Sequence, residues 1–187
     1  MRWILVLLSA VLGGILVGLG MYFLDKLGFY LIILVPILAG GIIGVATYLP
    51  VVRQSVPTLP LIVFAVIGGL IAIGIYWYGQ YNDYNEQLIA VVQEQDSTAT
   101  REEALALIES FQRSEFGSTG FQAFLADYAA TGFSINRVAR SSGLEIQGDL
   151  AYGFWGFEAL VLVGMAIVGV VRRGQSSITK RLGTQTT

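Results

Sequence analysis

The chain has 187 residues, 55% of them hydrophobic and only 13% charged, with a mean hydropathy of +0.68 and a formal net charge of −2. A soluble domain with a charged surface does not reach such values. It contains no cysteine and no histidine, which excludes disulfides, thiolate metal sites, iron–sulfur clusters, a Cys nucleophile, a Ser-His dyad, the ordinary catalytic zinc site, imidazole-ligated haem and a His-ligated pigment.

Four apolar runs organise the sequence: Trp3 to Phe23, Phe29 to Leu49, Leu61 to Tyr78 and Tyr152 to Val171, with Glu158 their only charge. A bilayer core is about 30 Å thick and a helix rises about 1.5 Å per residue, so runs of roughly 18 to 21 residues are long enough to cross it. The expected class is therefore all-α: a polytopic membrane protein with four transmembrane helices and a small helical hairpin between the third and fourth. Residues 1–79 are expected to hold the first three spans, 80–151 an extramembrane module, 152–171 the fourth span and 172–187 a tail.

Arg2 gives the first run a positive start, as in a secretory signal. Its apolar stretch is about 20 residues with four glycines, however, and no small-x-small cleavage site follows, so a retained span is expected. Within the runs, small residues recur four apart: Gly14 and Gly18, Gly40 and Gly44, Ala65 and Gly69. Such pairs let helix backbones approach closely, which makes them helix-packing candidates. They are not nucleotide loops, because no strand precedes them and they sit inside apolar helices. Pro36, near the middle of the second run, is expected to kink its helix, as a packing device or as a hinge.

Cations fix the expected orientation. Arg2, Arg53, Arg172, Arg173, Lys180 and Arg181 lie on one side, and Lys26 beside Asp25 on the other. The positive-inside rule then places both termini in the cytoplasm and the long segment outside, in a cytoplasmic (inner or plasma) membrane. Residues 79–151 carry eleven acids and four arginines, a net charge of −7 that repels nucleic acid. Aromatics mark the outer boundary as an interfacial belt: Tyr22, Phe23, Phe29 and Tyr30; Tyr76, Trp77, Tyr78, Tyr81 and Tyr84; Tyr152, Phe154 and Trp155. Trp3 and Tyr48 mark the inner one.

Tyr81 to Gln95 is expected to prolong the third helix as a stalk. A new helix then starts at Thr100, where the T-x-x-E spacing to Glu103 spells a capping box and Ala104, Leu105, Ile108 and Phe111 follow at helical spacing. Gly117 to Gly120 breaks it. Phe121, Phe124, Leu125, Tyr128 and Ala129 make a second amphipathic helix ending at Gly132. The pair is too small to be stable alone, so its apolar faces must rest on each other and on the membrane surface, the span ends or another protein. Beyond it, Arg137 and Arg140 share one face, suited to lipid phosphates or to the nearby acids. Residues 143–148 read as a loop or short extended piece, with Asp149 capping the fourth helix.

Glu158 falls about 9 Å beneath the outer boundary, where a bare carboxylate is expensive. It is a candidate for contact with a polar group of a partner subunit, for a proton or cation site, or for a structural role as a neutral or tyrosine-bonded glutamate. Arg172 and Arg173 are expected to anchor the last span at headgroups, with a disordered tail beyond.

The layout is similar to that of tetraspanins, which also place their large external loop between the third and fourth spans. That loop depends on cysteines, which this chain lacks, so no residue role carries over. The expected function is non-catalytic: an accessory or organising subunit of a larger membrane assembly, with membrane lipids and other membrane protein subunits as partners and no cofactor beyond bound lipid. A small transporter or channel built on Glu158 and a lipid-active enzyme using Glu158, Asp149 or Glu145 are the alternatives. The first lacks polar residues at mid-span beyond Ser9 and Thr47, and the second lacks a paired acid–base constellation.

Overall fold

The computed structural model describes residues 2–28, 33–52, 54, 56–134 and 145–183. Helices dominate: α1 (Arg2–Lys26), α2 (Leu34–Tyr48) continued by a 3-10 turn (Leu49–Val51), α3 (Thr58–Gln95), α4 (Arg101–Phe116), α5 (Phe121–Thr131) and α6 (Asp149–Gly183). Between α5 and α6, Phe133–Ser134 (β1) and Glu145–Ile146 (β2) pair antiparallel, Phe133 opposite Ile146. Among the described residues, α1, α2 with its 3-10 turn, α3 and the stretch Asp149–Arg173 of α6 are long and apolar enough to cross a membrane.

Three boundaries differ from the sequence reading. Helix α2 begins at Leu34, which puts Pro36 in its first turn rather than mid-helix. Its missing N–H removes no helical hydrogen bond there, so the expected kink is not made at Pro36. Helix α6 begins at Asp149, just after Gly148 at φ 59°, so Asp149 occupies the first turn rather than the cap. An acid there still complements the helix dipole. The same helix continues through Gly183, where a disordered tail was expected. No proline follows Val171, and a single glycine at 174 costs only about 1 kcal/mol in a helix. Phe29, Tyr30, Arg53, Arg137 and Arg140 lie outside the described residues.

Two compact units result, residues 1–77 with 156–187, and residues 78–155. The first seven residues of α6 thus group with α4 and α5.

In the first unit the usual burial pattern is reversed. Leu5, Leu12, Leu16 and Phe23 of α1 and Leu38 and Ile42 of α2 face outward, at least half exposed. The buried stripe of α1 is smaller: Val6, Ala10, Gly14, Val17, Gly18 and Met21, spaced three and four apart. Side chains of this size permit backbone contact. A Cβ at Gly14 would collide with the Gly68 carbonyl oxygen of α3, and one at Gly18 would lie 2.6 Å from that of Ala72. Gly40 faces the Leu162 carbonyl of α6, and a Cβ at Gly44 would come 2.5 Å from the Ala166 carbonyl oxygen. The few polar side chains in this unit are engaged. The Ser9 hydroxyl donates to the Ala46 carbonyl (2.7 Å), that of Thr47 to the Ile43 carbonyl (2.8 Å), and Tyr76 to the Asp25 carboxylate (3.3 Å).

The second unit is built on the far half of α3. Ile89 packs against Ala104 and Ile108 of α4, with Leu88, Val92 and Leu105 around them. The support that α4 and α5 need comes from this stalk. Phe124 of α5, 1% exposed, is ringed by Tyr84 (centroids 5.2 Å apart), Tyr81, Phe121 and Tyr128 (5.7 Å each). The end of α5 is held by α6, since Ala129, Ile146 and Ala151 cluster with Phe154 and Trp155. Gly132 closes α5 at φ 73°, its N–H donating to the Tyr128 carbonyl at 3.1 Å. A side chain there would also run into Gln147.

Candidate interaction site

The start of α4 is fixed locally. The Glu103 N–H donates to the Thr100 hydroxyl (3.3 Å), while the Glu103 carboxylate accepts from the Thr100 N–H (2.9 Å), which completes the capping box. The Thr100 N–H and then its hydroxyl (2.9 Å), both set to donate to it, hold the Glu103 carboxyl below its ordinary range. Arg101 grips Glu86 of α3 with both guanidinium nitrogens, at 3.0 and 2.5 Å. The pair is exposed, so it fixes register more than it adds stability.

Between α3, α4 and α5 lies a polar centre. Gln112 is 2% exposed and its side-chain carbonyl accepts from the Gly120 N–H at 3.0 Å. Gly120 enters α5 at φ 66°, a conformation glycine adopts without strain. Nearby, the Tyr84 hydroxyl donates to the Asp127 carboxylate at 2.8 Å. Burial, followed by the bond to Asp127, pushes the Tyr84 hydroxyl up to about 12. Tyr81 and Tyr84, read from sequence as headgroup-level anchors, instead line the seat of Phe124. Neither Gln112 nor the Tyr84–Asp127 bond was singled out in the sequence. Gln112 continues the Ala104, Ile108 stripe at i+4, and that placement was its available signal.

The outward side of α4 is unlike its buried side. Leu107 and Phe111, one turn apart, are 58% and 54% exposed, although Glu102, Glu103, Glu109 and Glu115 make the rest of the helix acidic. Two large apolar groups thus stand in the open on a charged helix.

Of the packing candidates, Gly14, Gly18, Gly40 and Gly44 lie at the backbone approaches described above. A Cβ at Gly69 would sit 3.2 Å from Val163 of α6, and Ala65 is fully buried. Gly68 and Gly169 also stand at seams: a Cβ at Gly68 would lie 2.8 Å from the Ala10 carbonyl oxygen, and one at Gly169 3.2 Å from the Gly44 Cα. Gly169 escaped the sequence reading because no small residue lies four positions from it. Glu158 shares the row Leu162, Ala166, Val170, whose other members are buried; it is half-buried, with Oε1 shielded from solvent. Arg172 and Arg173 are exposed near the described end of that face.

Among the described residues, no group of three or more acidic, Cys or His side chains converges as a metal site. No protein-family model, curated protein or solved structure matches the chain.

Proposed function

We propose that the chain is a four-span protein of a cytoplasmic membrane, both termini in the cytoplasm and residues 80–151 outside, acting as a non-catalytic organising subunit of a larger membrane assembly. The exposed pair Leu107 and Phe111 carries this reading, because two large apolar groups one turn apart on an otherwise acidic helix leave water only when a partner covers them. The outward leucines of α1 and α2 offer a second surface, to lipid or to neighbouring spans. Glu158 would meet a hydroxyl or basic group of that neighbour, and Arg172 and Arg173 would sit at headgroup phosphates.

Purification in mild detergent tests the proposal. The intact chain is expected to elute with other membrane proteins in fixed stoichiometry, and Leu107→Ser with Phe111→Ser to lose them while keeping its helicity. A lone chain whose size is indifferent to both substitutions overturns the reading. Proton- or cation-dependent flux lost in Glu158→Gln would favour the transporter instead.

A further inference from the structure

We propose that the outward face of α4 docks a basic amphipathic helix of a partner protein, an inference that rests on Leu107 and Phe111 being a protein contact and names the chemistry of what covers them. Glu103, Leu107, Phe111 and Glu115 follow one another at intervals of four, and all four are exposed. Residues four apart are neighbours on one helix face, so they form a single line about 18 Å long, apolar in the middle and acidic at both ends. No cation stands on that line. Arg101 is held by Glu86 of α3, and Arg113, six residues past Leu107, lies about 120° away around the helix axis.

The middle of this face can be covered at little cost. Ser110 and Ser114 border it, and each hydroxyl donates to its own helix, Ser110 to the Leu107 carbonyl and Ser114 to the Phe111 carbonyl, at 2.8 Å in both cases. A partner laid over them therefore strands neither hydroxyl proton, the usual penalty for burying a serine. Phe116 meets the Phe111 ring edge-on, with centroids 6.5 Å apart and planes at 88°. A ring already steadied in this way loses less freedom on binding than a loose one. At the acidic end nearest α3, both bonds from Thr100 go to Oε2 of Glu103, which leaves Oε1 for a partner's cation.

Charge selects the occupant. Parallel or antiparallel, a second copy paired two-fold through this line sets carboxylate against carboxylate. Helices that lie on a lipid surface carry Lys and Arg on their polar side, whereas α4 carries Glu102, Glu103, Glu109 and Glu115. A helix with Lys or Arg about three turns apart and two apolar residues between them answers the ends and the middle together.

The test uses the full chain in phosphatidylcholine nanodiscs and, as probe, a fluorescent helical peptide of leucine and lysine with one apolar face, its binding read by anisotropy against empty discs. The native chain is expected to bind it, about tenfold more tightly than Leu107→Ser with Phe111→Ser, and several-fold more tightly than Glu115→Lys. High salt should weaken the complex, and Glu94→Lys, at an exposed acid of α3, should weaken it less than Glu115→Lys does. Peptides with glutamate in place of lysine, or serine in place of leucine, should not bind. Equal binding of either control peptide, or affinity unchanged in either α4 variant with its helicity intact, overturns the proposal. So does disulfide pairing of Ser110→Cys chains with one another, which gives the face to a second copy, or quenching of Phe111→Trp by brominated lipid, which gives it to the bilayer. Proteins that co-purify with the native chain, leave with Leu107→Ser and Phe111→Ser, but stay through Glu115→Lys and high salt would overturn the basic partner and keep the organising role. A chain that elutes alone fails the organising role itself.

Discussion

Tyr84 shows how one hydroxyl can tie a small module together. It reaches across 43 positions of sequence to Asp127, beside the buried Gln112 amide and the Phe124 ring. Replacing Tyr84 by Phe removes the donor and leaves the carboxylate partly desolvated, which should cost about 1–3 kcal/mol. Phe124→Ala should cost about 3–5 kcal/mol, because it empties the middle of the aromatic cluster. Thermal unfolding followed by circular dichroism measures both. The raised Tyr84 value also sets a pH dependence. In the unfolded chain the phenol ionises near 10, in the folded one near 12, so its contribution is complete below pH 10 and disappears as pH rises toward 12. Alkaline titration should therefore destabilise the native chain more than Tyr84→Phe over that window, and equal curves would deny the assignment. A bond spanning such a separation leaves no periodic trace in sequence. Tyr84 and Tyr81 are equally at home at an interface or in a small core, and only the fold distinguishes the two.

At the scale of elements, the capped helices were the most legible, since capping is local chemistry. Thr100 and Glu103 define the start of α4 within four residues, and Gly117 and Gly132 end α4 and α5 at positive φ. Thr100→Ala should cost about 1 kcal/mol and fray the first turn, visible as faster amide exchange at residues 101–104. Glu86, Asp96 and Glu103 all ionise more readily than free carboxylates through their bonds to Arg101, Thr98 and Thr100. Their contribution is in place at neutral pH and is lost as pH falls through the depressed values, so this end of α4 should loosen in acid before the aromatic cluster does. Ends without such signals were misplaced. Hydropathy does not see the turn at Pro36, and it cannot follow α6 beyond Val171, where the residues are polar but still compatible with a helix.

For the whole molecule, the seams between apolar helices depend on atoms that are absent. Gly40→Val should push α2 off α6 at the Leu162 carbonyl, an overpacking penalty of at least about 1–3 kcal/mol, whereas Gly74→Val, with nothing within 4 Å, should be nearly silent in detergent melts. The four-apart rule found Gly14, Gly18, Gly40 and Gly44 because it encodes one face of one helix. It missed Gly169, whose neighbours four positions away are Met165 and Arg173. The four apolar helices were plain from composition alone. The exposure of Leu107 and Phe111 was not, because apolar residues on a helix read alike in sequence whether they face a core or water.

The side of a bilayer that each segment occupies decides the proposed topology, and the lack of native cysteine makes it directly measurable. Single cysteines at Ser97, between α3 and α4, and at Gln54, between α2 and α3, are to be exposed to a membrane-impermeant maleimide on sealed cells. Ser97→Cys is expected to label at once and Gln54→Cys only after the membrane is opened. Labelling of Gln54→Cys in sealed cells, or protection of Ser97→Cys, would contradict the proposed topology.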